Sequence, residues 1–465
     1  MALRPYEKII DRWGPPGRNT ILFCLALVLF HITGPAFENH IQESQRLLAA
    51  GNMEGAEREA KLALRDSATH ALALAMLGTI RLQQNRNNEG IDYLKKAVRM
   101  DPRLVGARLN LGDAYTRVGK IKEARDAYDQ ALRLRPDNTT ARLDLAQLEA
   151  SAGDYRASLE VAEPILPLLH KSAEAILVLA TDYSGLQKKE LMGPLVADWR
   201  SLREVPEPLC LSFAALLAEN DLLPGAIDVL NRCANNQKGL SFELSATLGG
   251  LYLRSGDTKL ASDHYEAALR LRPGCVPCLQ GLASIADKQG ESEKALAYLI
   301  RARRLQPDDP SVLFDFGKVC LQRNLFEDAL SSLQRAVALR PDNDHYRYVL
   351  ASGYVSTAHY AKARVLLESL LKKHPNDSVL HYALGAVLYL QGDFDAAEIS
   401  LQKSIDLNAD QVGAYYYLGL TAEKKRDNER AEHIFDDLLK RHPEHIPSYV
   451  GRGTVLVALK KYTEA

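Results

Sequence analysis

The sequence predicts an all-α protein built by stacking about twelve copies of one antiparallel helix pair, and three columns of residues carry that expectation. Pro273, Pro307, Pro341 and Pro375 recur at steps of 34 residues. Ala261, Ala295, Ala329 and Ala363 keep the same step, as do Gly249, Ala283, Gly317 and Ala351. A fixed period of this length means that one supersecondary unit is repeated and that each copy buries its apolar face against its neighbours.

Within the copy from Val276 to Asp309, Leu279, Leu282, Ala283 and Ala286 recur at helical spacing. Gln289-Gly290-Glu291 supplies a turn, in which the glycine permits a left-handed end to the first helix. A second helical pattern runs through Ala295, Leu299 and Ala302 until Pro307 stops it. The small residues Ala283, Ala295 and Ala302 are expected where the helix backbones come closest, because a bulky side chain there would force the pair apart.

The copy from Val105 to Asn138 carries Leu111-Gly112, Tyr115, Gly119, Ala124, Tyr128, Ala131 and Pro136. That pattern resembles the tetratricopeptide repeat. The resemblance implies a right-handed superhelical solenoid whose first helices line a concave groove. Such a groove takes a peptide or another protein, so the expected function is that of a non-enzymatic interaction scaffold. The alternative is the repeat region of a longer enzyme, such as a glycosyltransferase or peptidase, with its catalytic domain beyond Ala465. A co-chaperone that binds C-terminal carboxylates would need Lys or Arg with Asn on consecutive first helices. The equivalent pairs are Ala75 with Thr79, Leu109 with Asp113 and Leu143 with Gln147, so that reading fails.

A chain of 465 residues exceeds one ordinary core, but a solenoid grows by addition. The net charge of −1 provides no basic footprint, and nucleic acid is not the expected partner. The N-terminus departs from the rest. Arg4, Lys8, Arg12 and Arg18 outnumber Glu7 and Asp11, the apolar run Ile21 to Phe30 follows, and small residues stand at Gly34 and Ala36. This is the pattern of a cleaved secretory signal over residues 1–36. The alternatives are a retained anchor, since Ile21 to Phe37 approaches the length of a membrane span, and a soluble protein in which the run is a buried helix, although it matches no column of the repeat; the two export readings are the ones carried forward. Both place the repeats outside the cytoplasm, in the cell envelope of a bacterial-type cell, with the membrane touched only through this segment.

Regular repeats are expected over 37–158 and again over 242–465, where Ala465 falls in the column of Ala397 and Ala431 and leaves the last unit incomplete. Between them, over 159–241, Pro164, Pro167, Pro194, Pro206, Pro208 and Pro224 interrupt the helical pattern, and Trp199 has no counterpart. The stretch reads as degenerate helix pairs still in the stack, or as a hinge between two blocks.

Chemistry-bearing motifs are missing: there is no Gly-rich phosphate loop, no His-Glu-x-x-His and no Gly-x-Ser-x-Gly. No catalytic residue, metal ligand or cofactor is assigned, and the histidines, His442 and His445 included, read as surface residues. Cys275 and Cys278 straddle a helix start at a spacing that lets them bridge, and a structural disulfide competes with two small unpaired residues. Cys210, Cys233 and Cys320 read as buried apolar residues. The candidate binding surface lies at the fifth position of four consecutive repeats, Phe314, Tyr348, Tyr382 and Tyr416, joined by Tyr389. Lys318, His345 and Glu423 would add polar contacts. Either the rings pack between neighbouring first helices or they form a ladder of aromatic faces with hydroxyl tips, suited to an extended peptide or a glycan.

Overall fold

The computed structural model describes residues 35–65, 70–235 and 240–465, and among them every regular element is a helix. The chain divides into two compact units, the first ending at Ser255 and the second running from Gly256 to Ala465. Residues 1–34, which hold almost all of the predicted signal or anchor, lie outside the described residues. No helix among the described residues is long and apolar enough to cross a membrane.

The first unit pairs α1 (Pro35–Ala49) with α2 (Met53–Ala63), α3 (His70–Gln83) with α4 (Asn87–Met100), and α5 (Val105–Arg117) with α6 (Ile121–Leu134). It continues with α7 (Thr139–Ala152), α8 (Tyr155–Ala162), the one-turn α9 (Leu166–Leu169), α10 (Ala173–Gly185) and α11 (Met192–Ser201). Helices α12 (Glu207–Glu219), α13 (Leu223–Asn235) and α14 (Phe242–Ser255) complete it. The second unit opens with α15 (Thr258–Leu271) and then pairs α16 (Val276–Lys288) with α17 (Ser292–Leu305), and α18 (Pro310–Gln322) with α19 (Phe326–Leu339). After these come α20 (Asp344–Ser356) with α21 (Tyr360–Lys373), α22 (Ser378–Gln391) with α23 (Phe394–Leu407), α24 (Val412–Lys424) with α25 (Asn428–Arg441), and α26 (Ile446–Ala458). Within each unit a first helix packs on its own second helix, and that helix packs on the first helix of the next repeat.

Local chemistry explains the punctuation. Asn or Asp side chains cap both kinds of helix: the Asp309 carboxylate accepts from the amides of Ser311 and Val312, and Asp393 accepts from Ala396. Close approach is where the sequence puts small residues. A Cβ on Gly112 would lie 2.5 Å from the Tyr128 ring, and one on Gly385 would lie 2.6 Å from Leu401.

The degenerate stretch keeps the period. Gly51, Asn85, Gly119, Gly153, Gln187 and Asp221 all end a first helix with positive φ at steps of 34 residues. One extra residue separates Asp221 from Gly256, and the step of 34 then resumes through Gly290, Asn324, Ala358, Gly392, Arg426 and Lys460. Pro194, Pro206, Pro208 and Pro224 do not interrupt helices, as the sequence reading had them. Pro208 and Pro224 lie in the first turns of α12 and α13, and Pro206 is the N-cap of α12. A first-turn proline removes an amide that has no helical acceptor, so it starts a helix without straining it. What is shortened is the second helix of two repeats: α8 has 8 residues and α11 has 10 against 14 in α6, and Pro164 and Pro167 follow α8 with a 3-10 turn and α9. Trp199 and Phe213, both buried with ring centroids 4.5 Å apart, belong to the core of this stretch.

Candidate functional site

In the second unit the first helices α22, α24 and α26 lie side by side, and their tyrosines converge. The ring of Tyr382 rests on α24 at Gly413, where a Cβ would come within 2.6 Å of it. Its centroid is 6.2 Å from Tyr417. Tyr417 also meets Tyr389 at 5.4 Å and Tyr416 at 5.6 Å, both edge-on. Tyr389 is backed by Phe394 at 5.8 Å, and Tyr416 by Phe435 at 6.3 Å and His445 at 5.5 Å. Edge-to-face pairs at these separations are favourable and hold each ring in one orientation.

The rings are half-buried, and the hydroxyls are not satisfied inside the protein. Among the described residues, Tyr348, Tyr382, Tyr389, Tyr416 and Tyr417 make no hydrogen bond to another protein group, and none of their oxygens is sealed from solvent. Tyr415, one residue along, is the contrast: Arg441 donates to its hydroxyl at 2.9 Å and covers its ring at 5.1 Å. Burial pushes the hydroxyls of Tyr348, Tyr382, Tyr389 and Tyr417 above the ordinary tyrosine value, with smaller contributions from Asp377 at Tyr348, Tyr348 at Tyr382, Glu423 at Tyr389 and Tyr382 at Tyr417. They therefore remain protonated donors at any physiological pH. Glu423 acts on Tyr389 and supplies a carboxylate at this end of the face.

At the other end a recess of about 380 Å³ opens beside Tyr348, floored by Leu370, Val379 and Leu380 and rimmed by Asp344, His345, His374 and Asp377. His374 and Lys373 each reach the Asp344 carboxylate at 2.9 Å, and the His374 hydrogen bond is the largest of the effects that hold that carboxyl below its usual range. Asp377 is tied up as the N-cap of α22.

Two predicted site residues sit elsewhere. Phe314 is buried, with its ring stacked on Tyr346 at 4.4 Å and its centroid 5.1 Å from that of the His345 ring, so α20 closes it off and it belongs to the packing between repeats. Lys318 is paired with Asp287 on α16 at 3.0 Å, away from the tyrosine cluster. His345 is exposed on the rim of the recess. Sequence reasoning missed Tyr417, the hub of the cluster. Its signal was the run Tyr415-Tyr416-Tyr417, which a search confined to one column passes over.

Cys275 and Cys278 form a disulfide, with sulfurs 2.00 Å apart at the start of α16, and the Cys275 sulfur also accepts from the Cys278 amide. Among the described residues no group of three or more His, Cys, Asp or Glu side chains could hold a metal ion.

Models described as tetratricopeptide repeat match residues 71–104, 109–167, 243–275, 281–344, 320–387, 354–423 and 413–445, together more than half of the chain. The chain is 23% identical over 270 residues to Protein CTR9 homolog of Arabidopsis thaliana, covering 56% of this chain and 25% of that protein. It is 27% identical over 214 residues to Superkiller protein 3 of Schizosaccharomyces pombe, covering 40% of this chain and 15% of that protein. The chain thus spans a quarter or less of the length of these relatives. Among solved structures it is similar to the APC/C hetero-tetramer Cut9-Hcn1, with a TM-score of 0.46 and 14% identity over 91% of this chain and 97% of that one. With several tetratricopeptide repeat models matching helix pairs of that same period over more than half of its length, the chain belongs to the tetratricopeptide repeat family.

Proposed function

We propose that the protein is a non-enzymatic scaffold that binds a protein or peptide partner in a groove along the first helices of the second unit, with Tyr348, Tyr382, Tyr389, Tyr416 and Tyr417 as the contact surface. The observation that carries this reading is the set of five hydroxyls, on Tyr348, Tyr382, Tyr389, Tyr416 and Tyr417, with no partner among the described residues, the last four on rings that pack against one another. An extended chain laid across them meets flat apolar rings and receives hydrogen bonds at its carbonyls without the side chains having to be ordered first. The partner is sought among envelope proteins, because the positive flank and apolar run before Phe37 support export and the Cys275–Cys278 bridge suits an oxidising compartment.

The test separates hydroxyl from ring. A partner captured by the full chain is titrated against Tyr382→Phe, Tyr416→Phe and their double variant. Packing is kept, so the melting temperature should hold, while each lost hydrogen bond should weaken binding by about 1 kcal/mol. Unchanged affinity of the folded double variant would falsify the groove assignment. Export is tested separately, with a reporter enzyme active only outside the cytoplasm fused after Ala465. It should work, and removal of Ile21 to Phe30 should silence it; activity without that run would overturn the localisation.

A further inference from the structure

Cys210 is the fourth residue of α12, and Cys233 lies near the end of α13, the second helix of the same hairpin. Both are buried in one cluster, where the Cys210 thiol donates to the Val205 carbonyl at 3.9 Å and Cys233 is its strongest electrostatic neighbour. Counting from the left-handed turn residue shows why they meet. Cys233 stands twelve residues after Asp221, and the residues twelve after Gly51, Asn85, Gly119, Gly256, Gly290 and Asn324 are all alanine. In a later repeat the same position is Ser404, whose hydroxyl donates to the Ser378 carbonyl at 2.7 Å, on the first turn of the partner helix. That column therefore abuts the start of the first helix, and in this hairpin the residue waiting there is Cys210.

We propose that Cys210 and Cys233 are a second disulfide site, closing the α12–α13 hairpin when the chain folds in the presence of a small disulfide oxidant. One cysteine, as thiolate, attacks a sulfur of oxidised glutathione; a mixed disulfide forms and one reduced glutathione leaves. The other cysteine attacks the protein sulfur of that mixed disulfide, forming the Cys210–Cys233 bond and releasing a second glutathione. Two protein thiols are oxidised by two electrons, the oxidant's disulfide is reduced to two thiols, and the two cysteine protons end on the two glutathiones. The bridge would staple a hairpin in the segment that follows the short helices α8 and α9. The interaction with Cys233, which favours the protonated thiol, and then burial push the Cys210 thiol up, so thiolate is scarce in the folded protein and the bond forms as the chain folds.

The full chain is unfolded, reduced, and refolded in a mixture of reduced and oxidised glutathione. It is then alkylated under denaturing conditions and cleaved with trypsin, which separates the two cysteines after Arg232. The expected result is loss of the alkylated Cys210 and Cys233 peptides and the appearance of one joined species lighter by two hydrogens. The melting temperature of the oxidised protein should fall on reduction. Cys233→Ala places at 233 the residue other repeats carry there, so it should fold; the joined species must vanish and Cys210 must become alkylatable. Both cysteines alkylated in a sample where Cys275–Cys278 is bridged, or either one joined to Cys320, would overturn the proposal. Because the readout uses glutathione alone, it stands or falls independently of the groove and of export.

Discussion

Asp182 on α10 is fully buried, and only half of its carboxylate is cared for. Ser158 on α8 donates to Oδ2 at 2.7 Å, while Oδ1 has no partner. Burial is the dominant effect and raises its pKa to about 7; the Ser158 hydrogen bond opposes it, and no charged group contributes. In the unfolded chain the group ionises near 3.8, so the folded state binds the extra proton. Stability should therefore be highest below that value, fall as pH rises to about 7, and level off above it. Asp182→Asn keeps the shape and removes the charge. It should flatten that slope and raise stability at pH 8 by about 1–3 kcal/mol, measured by denaturant titration across pH. A variant that is less stable than wild type at pH 8 would show that a partner for Oδ1 had been overlooked. The candidate binding face divides at the same scale. The column of fifth positions revealed Tyr348, Tyr382 and Tyr416, but Phe314 occupies the same column and is packed away. What separates them is the residue on the next first helix: Tyr346 stacks flat on Phe314, whereas the equivalent position beside Tyr382 is Ala414.

At the level of the helix pair, each first helix ends in one left-handed residue, and the identities there vary while the geometry does not. Gly392 has φ +83° and Ala358 has φ 59°. Left-handed backbone costs an L-residue roughly 1–2 kcal/mol and costs glycine almost nothing. Ala358→Gly should therefore stabilise the second unit by up to about 1 kcal/mol, and Gly392→Ala should destabilise it by about 1–2 kcal/mol. Thermal unfolding of the two variants checks both signs, and equal effects would mean that the turn relaxes to another conformation. Sequence reading recognised this position only where glycine fills it. Asn85, Gln187, Asp221 and Arg426 hold the same turn unannounced, which is why the stretch around 159–241 looked less regular than it is.

Across the whole molecule, repeats that lean only on their neighbours make stability nearly additive. Excising Val105 to Asn138, one full period, joins two equivalent loops and should leave a helical protein that still unfolds cooperatively at a lower temperature. Excising only Val105 to Gly119 removes a first helix from its pair and exposes the apolar stripe of α6, so that variant should aggregate or lose its sharp transition. Circular dichroism melts distinguish the two. If they behave alike, the repeats are not the cooperative elements.

The sequence by itself determined the helix pair, its period and the small residues at its crossings, because these follow from local spacing that every copy must satisfy. It also marked Cys275 and Cys278, which are neighbours along one helix start. Only the tertiary structure decided which aromatic rings are covered, that Tyr417 is their hub, and that Cys210 meets Cys233 across a hairpin. Those outcomes depend on the side chain that the adjacent helix presents, and a column read down one position of the repeat carries no information about its neighbour.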